Sequence, residues 1–262
     1  MAFLEVQELT KSFEKDSAGL LVINRISLNV DEGEFVTVVG PSGCGKSTFL
    51  HILGGFIPRN DGTILLNKKE IEKPGPDRGM MFQDFALFPW RSVLGNVCWG
   101  LEVKNVSKEE RLRTAFRYLD LVNLRAFKDH YPHELSGGMK QRVALARVLA
   151  FDPQILLMDE PFGSLDAQTR EQMQEEITEI WTKTGKTVLF VTHDIEEAVY
   201  LSDRVFVFTA RPAIIKEVVH ITLPRPRPME IKKSTEYAKL RNHIWDLIRE
   251  EFIKSRRSIS EH

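Results

Sequence analysis

The chain has 262 residues, with 36 basic against 37 acidic side chains and a net charge of -1, a balance that excludes general electrostatic binding to nucleic acid. Its two cysteines, Cys44 and Cys98, stand far apart in the sequence and without a second ligand pair, so neither a disulfide framework nor a cysteine zinc site is suggested, and two unpaired thiols suit a reducing compartment. No apolar run approaches the roughly 18 residues of a membrane helix, and the opening MAFLEVQELTK lacks the apolar core of a signal peptide.

In chain order, short apolar runs bounded by Gly, Asp or Pro predict strands at EFVTVVG, GTILL, RGMMF, QILLMD, TVLFVT and RVFVF. Helical patterns alternate with several of them, which predicts an α/β domain with a largely parallel, buried sheet. Between EFVTVV and the apolar helix STFLHILGG stands GPSGCGKS, which fits G-x-x-x-x-G-K-[ST] in the strand, loop and helix setting that the motif requires. Gly40, Pro41, Ser42, Gly43, Cys44 and Gly45 form a loop whose bare N–H groups can converge on phosphate at a helix N-terminus. Lys46 is placed to reach the β and γ phosphates, and Ser47, followed by Thr48, offers a hydroxyl to Mg²⁺. Cys44 reads as a small loop filler.

From about Ser92 to Ala150 the strand signals stop, and an inserted helical subdomain is predicted over about 91–151. Ser107 and Glu110 have capping-box spacing ahead of RLRTAFRYLDLV. His130 and His133 have the spacing of a metal-binding pair but no further ligands beside them. LSGGMKQRVALARVL then predicts a helix that starts badly, because Gly137 and Gly138 occupy its first turn and each costs on the order of 1 kcal/mol relative to alanine.

QILLMDEP ends an apolar strand in Asp159 and Glu160, whose side chains diverge on extended backbone and can take two roles. Asp159 is expected to serve the metal through water, and Glu160 to act as general base or water-orienting group. Beyond RVFVF, the segment LPRPRPME reads as a separator before TEYAKLRNHIWDLIREEFIK. There Tyr237, Leu240, Ile244, Leu247 and Ile248 form one stripe, predicting a helix docked on the body within an extension of about 230–262.

These residues resemble the ATP-binding cassette (ABC) transporter ATPase family across nearly all of 1–262. GPSGCGKST looks like its Walker A, Gln83 in MMFQD its Q-loop, LSGGMKQR its signature and ILLMDEP its Walker B. FGSLD with Asp166 is similar to the D-loop, and VTHD with His193 to the H-loop. The resemblance implies a P-loop NTPase core with a mixed sheet, an inserted helical subdomain and a C-terminal helix, hydrolysing ATP with Mg²⁺. It implies a head-to-tail dimer, of two copies or with a close paralogue, in which the signature of one subunit closes over ATP on the phosphate loop of the other. Ser136, Gly137, Gly138, Gln141 and Asp166 are then counted among the nucleotide-binding residues, and the bare helix start is explained by what it must approach. His193 is expected at the γ-phosphate, Gln83 at the metal and water, and Phe13 on the adenine ring, where the family often has Tyr.

The resemblance also implies transmembrane permease subunits as partners, a solute-binding protein acting indirectly, and a peripheral place on the cytoplasmic face of the inner membrane. A coupling helix of the permease is expected near FQDFALFPWRSVLGNVCWGL, where Phe85, Leu87, Phe88, Pro89, Trp90 and Trp99 cluster. Within the family, LFPWRSVLGNV, PFGSLDAQTR and VFVFTARPAIIKEVVHITLPRPR look like the nitrate/sulfonate/taurine group of bacterial importers. The alternative, a non-transport cassette ATPase acting on DNA or the ribosome, is disfavoured by the near-zero net charge, the single cassette and the lack of room between Gln83 and Ser136 for a long coiled coil.

Overall fold

The computed structural model describes residues 2–14 and 19–260, with side chains through 254. In chain order the elements are β1 (Leu4–Phe13), β2 (Leu20–Val30), β3 (Phe35–Val39), α1 (Lys46–Leu53), β4 (Asp61–Leu66), β5 (Lys69–Glu70), β6 (Arg78–Met81), α2 (Val93–Val103), α3 (Lys108–Leu121), α4 (Gly137–Ala150), β7 (Ile155–Asp159), α5 (Ala167–Thr184), β8 (Thr187–Val191), α6 (Ile195–Leu201), β9 (Arg204–Phe208), β10 (Ile215–His220) and α7 (Thr235–Ser260). They fall into two compact units, one of residues 1–75 with 186–262, the other of residues 76–185.

The first unit holds two sheets. In one, β8, β3 and β9 run parallel with Phe35 opposite Val188 and Val36 opposite Arg204, and β10 closes the edge antiparallel to β9. β3 and β8 are buried at every residue, which is why FVTVV and TVLFV read as continuous apolar runs rather than alternating ones. α1 is locked to this sheet by an edge-to-face contact of Phe49 with Phe208 at 5.4 Å between centroids. The other sheet is antiparallel, in the order β2-β1-β4-β5, and it takes GTILL as β4. The pairing of β1 with β2 slips register after Val6, Leu9 and Lys11, and Glu8 and Arg25 both adopt positive φ there while their side chains pair.

The C-terminal part of this unit corrects the reading of LPRPRPME as a separator. Arg227 is buried and donates to Tyr200 O at 2.9 Å and Ser202 O at 2.7 Å, while Arg225 donates to Leu201 O and to Asp203. The reason is that a helix leaves its last carbonyls without intrahelical partners, and guanidinium groups satisfy several at once. α7 follows and buries Tyr237 and Ile244 completely, a contribution of roughly 1.5–3 kcal/mol for each such side chain.

In the second unit β6 and β7 pair in parallel, and α2 and α3 pack on α4. Ser92, Ser107 and Ser136 cap the three helices, accepting from Gly95 N, Glu110 N and Met139 N. α4 buries Val143, Ala144, Leu145, Ala146 and Leu149, so it forms the centre of this unit. Its neighbours fit closely: a β-carbon on Gly79 would stand 2.3 Å from Val148, and one on Gly100 2.5 Å from Phe151. His130 sets its ring edge against Phe127, and His133 stacks on Tyr131.

Candidate functional site

In the first unit, β3 and β8 are parallel neighbours with Val38 opposite Val191. The loop after β3 and the residues after β8 therefore leave the same end of the sheet, where open α/β sheets bind ligands. Gly43 and Gly45 in that loop have φ of 74° and 120°, and a β-carbon on Gly45 would also lie 2.9 Å from Val22. Lys46 donates to Gly40 O at 2.9 Å and Pro41 O at 3.2 Å, so its ammonium is curled over the loop. Arg211 donates to Gly43 O at 2.9 Å from the opposite part of the sequence. Ser47 is exposed in the first turn of α1, Thr48 is half-buried, and Cys44 is buried with its thiol pushed up by that burial. A thiol raised in this way is packing rather than a nucleophile.

His193 stands exposed between two anchored residues. Thr192 donates to the Glu197 carboxylate at 2.6 Å and accepts from Asp194 N at 3.0 Å. Asp194 then caps α6, accepting from Glu196 N at 2.8 Å and Glu197 N at 3.3 Å. Phe13, at the end of β1, is 38% exposed with the Lys11 ammonium 4.7 Å from its ring centroid.

The second unit repeats the arrangement. Met81 of β6 lies opposite Met158 of β7, so Gln83 and the Asp159, Glu160 pair leave one end of adjacent parallel strands. Asp159 is only 6% exposed. Glu160 has φ 43°, a left-handed conformation that costs a non-glycine residue of order 1–3 kcal/mol and is found where surrounding structure enforces it. Gly163 N donates back to Glu160 O at 3.0 Å, and the Gln83 amide lies 3.8 Å from the place a Gly163 β-carbon would take. Gln83 and Glu160 are thus gathered around one turn.

At the start of α4 the two glycines differ. A β-carbon on Gly138 would fall 2.8 Å from Thr169 Cγ2 in the first turn of α5, whereas one on Gly137 would meet only Leu165 at 3.4 Å, an ordinary contact. Asp166 caps α5, accepting from Thr169 N at 3.0 Å and Thr169 Oγ1 at 2.7 Å, and these bonds hold its carboxyl below the usual range. Gln141, expected with Ser136 at the nucleotide, is fully buried, with no hydrogen-bond partner for its amide among the described residues. It belongs to the interior face of α4, one turn in from the bare amides.

The family model described as ABC transporter matches residues 23–163. Over 252 residues the chain is 52% identical to an uncharacterized ABC transporter ATP-binding protein of Methanocaldococcus jannaschii, covering 96% of this chain and 93% of the other. The chain belongs to the ABC transporter family. The nitrate import ATP-binding protein NrtD of Synechocystis sp. is 44% identical over 252 residues, covering 94% of this chain and 95% of that one. Among solved structures, a dimeric post-hydrolysis state of an ATP-binding cassette bound to ADP and Pi matches with a TM-score of 0.74 at 32% identity, over 84% of this chain and all of the other. The fold is that of an ABC ATPase, and the protein binds and hydrolyses ATP.

This cassette also uses residues that its sequence did not single out. Asn96 of α2 is buried and donates to Phe88 O, Arg91 O and Ser92 O at 3.2, 3.0 and 3.1 Å while accepting from Phe88 N at 2.8 Å. Arg147 of α4 donates to Ala86 O and Phe85 O and lies over the Phe88 ring. Together they fix the segment that presents Trp90, 73% exposed, against Phe88, whose ring also packs on Trp99. The available signal was one asparagine within the otherwise apolar VLGNVCWGL. For Arg211, which lies 168 residues from Gly43, there was none. No helix among the described residues is long and apolar enough to cross a membrane.

Proposed function

We propose that this protein is the ATP-hydrolysing subunit of an importer, and that two copies, or one copy and a close paralogue, close head to tail on ATP to drive uptake through membrane permease subunits. The observation that carries this reading is the start of α4. Gly137 has no packing partner that demands glycine, yet it holds the first turn of a capped helix open beside Ser136. Bare amides and the positive end of a helix dipole are the chemistry that a triphosphate from a second subunit requires.

Each residue then has a role that its surroundings support. Lys46 exchanges its two loop carbonyls for β and γ phosphate oxygens, and loop amides from Gly40 to Ser47, with Thr48, hold the phosphate chain. Glu160 orients and deprotonates the attacking water, His193 holds the γ-phosphate and that water, and Gln83 senses the reacting centre from its turn beside Gly163. Phe13 supplies a π face to adenine, and Asp166 supports the subunit contact through the α5 cap. The hydroxyl of Ser47 and the carboxylate of Asp159 are the hard oxygen donors that suit Mg²⁺, which when bound neutralises phosphate charge.

The segment around Trp90 is proposed to receive a permease helix, and a solute-binding protein is engaged only through that permease. The place of action is the cytoplasmic face of the inner membrane, with the protein held there peripherally. Sequence likeness around LFPWRSVLGNV and the nitrate-import relative support a solute of the nitrate/sulfonate/taurine class. The test is reconstitution in vesicles with candidate permease subunits of the nitrate, sulfonate and taurine importers. Nitrate-, sulfonate- or taurine-dependent uptake that requires Lys46 supports the reading, and ATP turnover without uptake of any of them removes the solute assignment.

A further inference from the structure

α6 is a helix of seven residues, too short to be stable by its own hydrogen bonds, since isolated helices below about 12–15 residues are marginal in water. It nevertheless controls both neighbours of His193. Thr192 is tied to it through the Glu197 carboxylate, and Asp194 is its N-cap. Whatever fixes α6 therefore fixes the backbone on either side of His193.

The C-terminal segment grips this helix at both ends. At its C-terminus, Arg227 donates to Tyr200 O and Ser202 O and reaches Val199 O at 3.4 Å, and Arg225 donates to Leu201 O. These guanidinium groups satisfy carbonyls that have no helical partner and place positive charge at the negative end of the dipole. Tyr200 OH returns a bond to Arg227 O at 2.8 Å. At its N-terminal turn, the buried Tyr237 of α7 donates to Glu196 O at 3.0 Å, and Arg241 lies 3.6 Å from the Glu196 carboxylate. Arg241, Asn242 and Trp245 then form one wall of an open cavity of about 530 Å³ whose opposite wall runs from His193 to Glu196.

The far end of α7 meets the phosphate loop's support. Glu251 is buried, pairs with Lys216 at 3.0 Å and accepts from Ala210 N at 3.3 Å, next to the Arg211 that donates to Gly43 O.

We propose that the segment from Arg225 through α7 is a brace that positions His193, with Arg227 and Tyr237 as positioning residues acting through α6 and touching no nucleotide themselves. The kinetic side of this proposal rests on His193 acting at the γ-phosphate, but the geometric side does not.

The test uses the full chain with imidazole-labelled histidine. The His193 resonance is identified by its loss in His193→Gln, and it is followed in Tyr237→Phe and in Arg227→Lys, with thermal unfolding to establish that both variants are folded. Tyr237→Phe is expected to move or broaden that resonance. It is also expected to lower kcat roughly tenfold, less than the 10²-fold that a 1 Å misplacement can cost, with KM for ATP within twofold of the wild type. Arg227→Lys, which keeps a donor at the helix end, restores most of what Arg227→Gln loses. In a His193→Ala background, Tyr237→Phe should bring no further loss.

An unmoved His193 resonance in folded Tyr237→Phe overturns the brace, and so does a further tenfold loss in the His193→Ala background. A moved resonance together with a His193→Ala variant that turns over like the wild type leaves the brace standing and removes the role given to His193. The two readings therefore fail separately.

Discussion

Gly138 and Thr169 are packed so that no β-carbon fits between them, the separation from Thr169 Cγ2 being 2.8 Å, while Gly137 one residue earlier has room. Adjacent glycines in one motif thus answer to different demands. Gly138→Ala is expected to lower stability by up to about 2 kcal/mol, the usual overpacking cost of about 1–3 kcal/mol less the roughly 1 kcal/mol that alanine gains over glycine in a helix. Gly137→Ala should leave stability unchanged or raise it by up to about 1 kcal/mol through helix propensity, yet reduce kcat/KM for ATP. Chemical denaturation and steady-state turnover on the two variants separate the cases.

Glu160 leaves β7 in a left-handed conformation, with its backbone carbonyl bonded to Gly163 N. Glu160→Gln keeps the shape and removes the base. Turnover should fall by about 10² to 10⁴, as for other positioned bases, while binding of a fluorescent ATP analogue is retained. Equal loss of binding and turnover contradicts the assignment.

Glu251 gives a pH dependence of known sign. Burial pushes its carboxyl up, but hydrogen bonds from Lys216, Lys254 and Ala210 N outweigh this and hold it below its ordinary 4.5. The fold favours the ionised form, so the contribution is complete above about 4.5, the unfolded value, and is lost as pH falls through the lower folded value. Wild-type Tm should therefore fall more steeply than that of Glu251→Gln below pH of about 4.5, and the wild type should be the more stable of the two at pH 7. Parallel Tm curves for the two proteins refute the assignment.

Trp90 is the most exposed member of the aromatic group that Asn96 and Arg147 hold in place. Trp90→Ala should leave ATP affinity within about twofold while reducing permease-dependent uptake at least tenfold, as expected for an exposed aromatic anchor at an interface. Uptake and nucleotide binding that fall together show that the ring serves the cassette's own packing.

Much of this was legible in the chain because the parallel strands are buried on both faces. FVTVV, TVLFV and RVFVF announce themselves as apolar runs, and the loop between Gly40 and Ser47 is a local pattern on a local backbone. β1 and β2 were not legible, since three register shifts and the left-handed Glu8 and Arg25 break the alternation by which an antiparallel strand is read. LPRPRPME looks like a separator by composition, and only the distant carbonyls of α6 reveal why its arginines are buried. The constraint on Gly138 was hidden for the same reason, because Thr169 is 31 positions away in the sequence. Gln141 shows the opposite error, since membership in a motif does not place a side chain on the motif's exposed face.

The amides at the start of α4 are proposed to complete the nucleotide pocket of a second copy. Gly137→Asp tests it cleanly, because an acidic residue in the first turn favours the helix and repels a triphosphate. The measurement is sedimentation velocity of Glu160→Gln, alone and combined with Gly137→Asp, in saturating Mg-ATP. A dimer is expected for the first and a nucleotide-bound monomer for the second; a monomer for the first, or a dimer equally strong in both, rules out a pocket completed by the second copy.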